Sequence, residues 1–311
     1  MITRKAIDGR ATGIMVALCM IWGIQQVFLK AVGADMAPTM QIAVRSGASA
    51  ILVGIMLYFQ KNLIIFSDGL WRPGVLAGFC FSMEYLMVGE GLRHTTASHM
   101  VMFLYTAPIF AGLGLHWLLP DERLKPVQWL GIGLAFVGIV LTFYGRDPQT
   151  DEAAGSNTLL GDIFGLLAGA AWGATTIVVR CSALAMVSAT RTVFYQLVTA
   201  FVILTLAAAI MGQTYFHSTP RLWGNLIFQT LVIAFFSFLA WFWLMRNYLA
   251  SRLGVLSFMT PLFGITFGVI ILDDPLETNF MIGSVLVMLG IVLVSGYDWL
   301  VSRKNRYHTL R

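Results

Sequence analysis

The chain has 311 residues, of which 58% are hydrophobic and only 11% charged. A soluble globular domain carries about a quarter charged residues, so the composition excludes that class and points to a membrane protein. The formal charge of +5 then reports topology rather than a nucleic-acid patch, and three cysteines without CxxC spacing (Cys19, Cys80, Cys181) give no disulfide framework or thiolate metal site.

A hydrocarbon core of roughly 30 Å takes about 20 mostly apolar residues per helical span. Ten such windows follow one another at 12–32, 39–59, 72–91, 97–119, 126–145, 159–182, 188–211, 223–246, 252–272 and 278–300. The opening MITRKAIDGR before the first window imitates a secretory signal. Its uncharged run, 11–29, is longer than the usual signal core of about 7–15 residues and reads as a retained first helix.

The longest polar connection, RDPQTDEAAGSNT at 146–158, is rich in turn formers and acids. It divides the chain into a first unit at 1–145 and a second at 159–311, each with five spans and the second ending in a basic tail. With both termini in the cytoplasm, fifteen Lys and Arg fall on the cytoplasmic side and four (Lys30, Arg93, Arg146, Arg221) outside, leaving Arg45 within a span. Lys and Arg resist translocation, so this orientation is the expected one, with 146–158 an external linker.

The two halves repeat one another. DERLKPVQWLGIGLAFVGIVL at 121–141 and DDPLETNFMIGSVLVMLGIVL at 273–293 agree at eight of twenty-one positions without gaps. Trp22-Gly23 recurs as Trp172-Gly173, and Pro108 recurs as Pro261. An odd number of spans per copy starts the second copy on the opposite side of the membrane, so the expected fold is an all-α integral membrane protein of two inverted five-helix repeats, a layout typical of secondary transporters.

These landmarks carry a family resemblance. The Trp-Gly of the first and sixth spans, the proline of the fourth and ninth, the acid-x-Leu of Glu122-Arg123-Leu124 and Asp274-Pro275-Leu276, and the spaced glycines of the fifth and tenth resemble the two EamA repeats of the drug/metabolite transporter superfamily, its amino-acid exporters in particular. Asp274 stands where that family usually has glutamate. The resemblance covers nearly the whole chain and implies a ten-helix exporter or exchanger of small metabolites, often amino acids, in a bacterial-type inner membrane.

Ionisable residues inside spans are functional candidates. Arg45, Glu84 and Glu90 qualify. Glu84 lies among apolar and aromatic neighbours in FCFSMEYLMVG, where burial disfavours its charged form unless a cation pairs with it. It could bind a substrate ammonium, carry a proton, or form a structural ion pair with Arg45. Trp22, Tyr85, Tyr105, Trp172, Tyr195 and Trp241 fall well inside spans, and Gln25 and Gln26 follow Trp22 by about a helical turn. Together they suggest a cavity for a zwitterion with an apolar or aromatic side chain, although packing is the better explanation of any single aromatic.

Pro108 and Pro261 each remove a backbone donor and clash with the carbonyl four residues earlier, at Leu104 and Ser257, which marks a binding site, a hinge or a static kink. Glu122 and Asp274 precede helix starts, where acids cap free amides; closing opposite gates is the alternative. Gly161, Gly165, Gly169 and Gly173 form an i, i+4 ladder suited to close helix packing. His94 and His99 lack a convincing acid partner or HExxH spacing, so no metal is expected, and no cofactor motif appears.

The expected partners are a small-molecule substrate, membrane lipid and, through Glu84, protons. A drug or nucleotide-sugar carrier of the same superfamily is the alternative transporter. An intramembrane enzyme would need a nucleophile, paired acids or a metal set at one depth, and only scattered groups occur.

Overall fold

The computed structural model describes residues 8–60, 69–120, 123–144, 157–248, 253 and 256–308. Glu122 and nearly all of the expected linker at 146–158 lie outside the described residues. The helices are α1 (Gly9–Ala31), α2 (Pro38–Phe59), α3 (Trp71–Gly91), α4 (Ala97–Leu104), α5 (Ala107–Leu118), α6 (Pro126–Tyr144), α7 (Thr158–Arg180), α8 (Ala189–Ile210), α9 (Pro220–Ile227), α10 (Ser237–Asn247), α11 (Met259–Leu272) and α12 (Thr278–His308). A π-helical segment, Phe228–Phe236, joins α9 to α10. No strand occurs among the described residues, where a single isolated bridge pairs Met36 with Phe216.

Among the described residues, seven helices are long and apolar enough to cross a membrane, counting α4 with α5, and α9 with the π segment and the start of α10, as continuous spans; two shorter apolar helices, Met259–Leu272 and Thr278–Val294, accompany them. Large apolar side chains on α6, α8 and α12, such as Phe136, Leu206 and Leu289, are exposed. Such surface is costly in water and suited to lipid.

Helix starts follow local chemistry. The side chains of Asp8, Thr96, Asn157 and Thr219 accept from the amides of Ala11, His99, Leu160 and Leu222 at 2.8–3.1 Å, each satisfying one free donor of a first turn. The expected fourth span is broken at Tyr105 and Thr106, and Pro108 is the second residue of the helix that resumes. Pro261 is likewise the third residue of α11. Each proline therefore sits in a first turn, where its missing N–H has no intrahelical partner to lose, and the expected clash inside a continuous helix does not arise.

Glycines set the closest helix contacts. The ladder on α7 lies along α4 and α5: a Cβ on Gly161 would stand 2.6 Å from Thr95 N, on Gly169 2.9 Å from Phe103 O and on Gly173 2.9 Å from Ala111 N. Both partners advance together, so α7 runs parallel to α4 and α5. In the other half, a Cβ on Gly23 would be 2.8 Å from Gly264 N and 3.1 Å from Thr260 O; on Gly173 the matching distance is 3.1 Å, to Ala107 O. Thr260 and Gly264 stand 153 residues after Ala107 and Ala111. The two Trp-Gly motifs thus cross the proline helices of the opposite half at corresponding atoms.

The same reciprocity joins α6 to α12. A Cβ on Gly131 would be 2.7 Å from Gly290 O, and one on Gly138 2.6 Å from Gly283 O. As one number rises the other falls, so these helices are antiparallel.

Candidate functional site

The helices around the two Trp-Gly crossings enclose a cavity of about 310 Å³, a size suited to a small solute. Eight of the residues expected at a site line it: Trp22, Gln25 and Gln26 from α1, Glu84 and Tyr85 from α3, Tyr105 from the break after α4, Trp172 from α7 and Trp241 from α10. Its aromatic walls are braced edge to face, Trp22 on Trp241 with ring centroids 5.6 Å apart and Tyr105 on Trp172 at 5.2 Å. Leu104 and Ser257, the residues four positions before each proline, also line it. Helix interruption in each half therefore coincides with the cavity, as expected where non-helical backbone must face protein or water rather than lipid.

Two expected residues stand elsewhere. Tyr195 is buried and packs its ring on α3 at Gly74, where an added Cβ would meet the ring at 2.6 Å. Arg45 is 3% exposed and absent from the wall. Its Nη1 donates to Gln229 Oε1 at 2.6 Å, and its guanidinium lies over the Tyr85 ring, 4.7 Å from the centroid. With the Gln25 amide oxygen turned toward the guanidinium, Gln25 accepts from Nη1 and Nη2 at 3.1 and 3.2 Å. No ion pair within 4.0 Å joins Arg45 to Glu84 among the described residues, so the structural salt bridge is replaced by amides and a π face.

Glu84 is 5% exposed, and its Oε2 has no hydrogen-bond partner; nor does Gln26 Oε1. Two wall donors are already engaged: Trp22 Nε1 donates to Ser237 Oγ at 2.9 Å and Thr175 Oγ1 to Ala171 O at 3.1 Å. The wall therefore sets two unpartnered buried acceptors beside aromatic faces.

One end of the bundle is tied by polar contacts. Glu90 accepts from Arg93 at 2.9 Å, Gln213 at 2.6 Å and Thr39 at 3.2 Å. Asp162 accepts from Thr95 and contacts His99 Nδ1 at 2.8 Å, while His99 stacks on Phe280 with ring centroids 4.0 Å apart. Lys30 Nζ donates to Thr95 O. Asp273 adopts a left-handed φ of 55° that ends α11. The next residue, Asp274, accepts from Ser98 N at 2.9 Å and Ser98 Oγ at 2.8 Å, at the start of α4. The expected cap on its own helix is thus a cap on a helix of the other half.

Thr175 and Gln196, two more wall residues, were outside the expected set. Thr175 stands 150 residues after Gln25, the Trp22-to-Trp172 offset, so the repeat signals it. Gln196 is the only amide side chain in the apolar α8, a weaker signal. The His99–Asp162 contact joins residues 63 apart, a pairing that no local spacing announces.

Helices of membrane-spanning length packed around a cavity define a multi-pass membrane protein. The model of the EamA-like transporter family matches residues 11–144 and again 159–296. The chain belongs to this family, with its domain present twice. It is 19% identical over 280 residues to "Uncharacterized transporter YoaV" of Bacillus subtilis (strain 168), covering 90% of this chain and 94% of that protein. It is 23% identical over 288 residues to an "Uncharacterized transporter" of Archaeoglobus fulgidus, covering 91% of this chain and 97% of that one. A solved crystal structure shares the fold with a TM-score of 0.64 at 18% identity, covering 96% of this chain and 99% of its own. Family and relatives alike mark a transporter and not an enzyme.

Proposed function

We propose that the protein is a secondary carrier that exports small amphipathic solutes bearing an ammonium group, a class spanning amino acids with apolar or aromatic side chains and similar small metabolites such as the corresponding amines, across a bacterial-type inner membrane. Ten spans form two inverted five-helix repeats, at 1–145 and 159–311, joined by an external linker at 146–158, with both termini cytoplasmic. The solute occupies the central cavity, and rocking of one repeat against the other exposes it to each side in turn.

The observation that carries this reading is the unpartnered Glu84 carboxylate oxygen on an aromatic wall built from both halves. Inversion draws support from the antiparallel α6–α12 seam, since direct repeats would set equivalent helices parallel. It also draws support from the reciprocal crossings of Gly23 and Gly173. The polar ties among Glu90, Asp162 and Asp274 then belong to the outer end, closed in the state described.

In proteoliposomes loaded with labelled solutes, Glu84→Gln is expected to abolish flux while the protein remains monodisperse and inserted. Flux at the wild-type rate would remove Glu84 from the mechanism. Repeating the assay with and without an imposed pH gradient separates proton-coupled exchange from facilitated flow.

A further inference from the structure

The charge on the cavity wall is one-sided. Glu84 is its only ionisable acid, and no Lys, Arg or His lines it among the described residues. Arg45 lies behind the wall, its guanidinium held by Gln229, Gln25 and the face of Tyr85. Two buried wall acceptors, Glu84 Oε2 and Gln26 Oε1, have no partner, whereas the Trp22 N–H and the Thr175 hydroxyl are engaged by Ser237 and Ala171.

An amino acid entering this space would find partners for its ammonium and none of opposite charge for its carboxylate. That carboxylate would shed its water beside a second carboxyl group, an arrangement that costs free energy on both desolvation and like-charge grounds. An amine lacking the carboxylate meets no such obstacle. Its ammonium would give the Glu84 oxygen the partner it lacks, and the indole faces of Trp22, Trp172 and Trp241 attract a cation directly.

We infer that the cavity selects cationic amines over the corresponding amino acids, the substrate being a small organic cation with an apolar or aromatic body. This rests on the cavity being the transport site and narrows the solute class proposed for it. Arg45 in this arrangement stiffens the floor beneath Tyr85 and supplies no substrate anchor.

Phenethylamine and phenylalanine share a ring and an ammonium and differ by one carboxylate, so they isolate the question. Binding to the full-length protein in detergent is read from the fluorescence of the wall tryptophans, and competition for uptake is read in proteoliposomes. Phenethylamine is expected to bind at least about tenfold more tightly, as loss of an uncompensated buried charge implies. Glu84→Gln should erase that preference and Glu84→Asp should keep it; because the latter retains the carboxylate, it also controls for folding.

Equal or tighter binding of phenylalanine, with Glu84→Gln still impairing it, would overturn the amine preference and leave the cavity as the transport site. No response to either solute, together with unchanged flux of a broad metabolite panel in Glu84→Gln, would overturn the cavity assignment itself.

Discussion

The two halves of the molecule agree in backbone and differ in chemistry. Gly23 and Gly173 make matching crossings, Pro108 and Pro261 resume matching helices, and Leu104 and Ser257 reach the same cavity from matching breaks. The first half nevertheless supplies Glu84, Gln25 and Gln26 to the wall, while the second answers with Trp172, Trp241, Phe238, Thr175 and Gln196, none ionisable. Matching small residues are what close helix approach requires, so they are held at repeat positions. A charge is needed once, because a second would add another desolvation cost in the same space. The duplicated frame thus carries its one wall carboxylate on the first half alone.

The largest way to break the comparison is at the crossings. A leucine at position 23 would drive its Cβ to 2.8 Å from Gly264 N, and one at position 173 to 2.9 Å from Ala111 N. Backbone cannot yield as a flexible side chain does, so Gly23→Leu and Gly173→Leu should each cost more than the roughly 1–3 kcal/mol of ordinary overpacking and lose the monodisperse peak in size-exclusion chromatography. Similar losses at both sites are expected if the crossings are equivalent. A tolerated substitution at one of them would show the halves to be packed unequally.

Much of this frame was legible from the chain because its cause is local or periodic. Apolar windows announce spans, and the offset of about 150 residues pairs Trp22-Gly23 with Trp172-Gly173 before any contact is known. Eight of the ten expected binding residues line the cavity, each a polar or aromatic group well inside an apolar run. The failures have one physical origin, which is that partners across helices depend on rotation about the helix axis. Arg45 faces α2's contact with Gln229 and misses the cavity, and Tyr195 fills the notch at Gly74. Asp274 reads as a cap for the helix beginning four residues later, yet the left-handed turn at Asp273 delivers it to Ser98.

The next effect concerns the tied end. Asp274 belongs to the second half and caps α4 of the first, so its removal tests a contact between halves without touching the cavity. Asp274→Ala should lower stability in detergent by about 1 kcal/mol, the usual cost of losing a helix cap, seen as a reduced melting temperature. Asp274→Asn keeps an acceptor for Ser98 and should lower it less. Equal losses in the two variants would mean that the charge of Asp274, rather than its hydrogen bonds, holds this end.

The smallest effect separates the two repeat-related tryptophans. Trp22 donates its indole N–H to Ser237 Oγ across the halves, whereas Trp172 meets Tyr105 edge to face. Replacing either by phenylalanine keeps a ring but removes the N–H. Trp22→Phe leaves Ser237 with its own donation to Ile233 O and without the indole donor, and should cost about 1 kcal/mol, the net worth of a typical hydrogen bond. Trp172→Phe removes no such bond to a side chain and should cost a fraction of that in the same thermal melt. A larger loss for Trp172→Phe would place the weightier indole in the second half, and the polar asymmetry of the cavity would then stop short of its tryptophans.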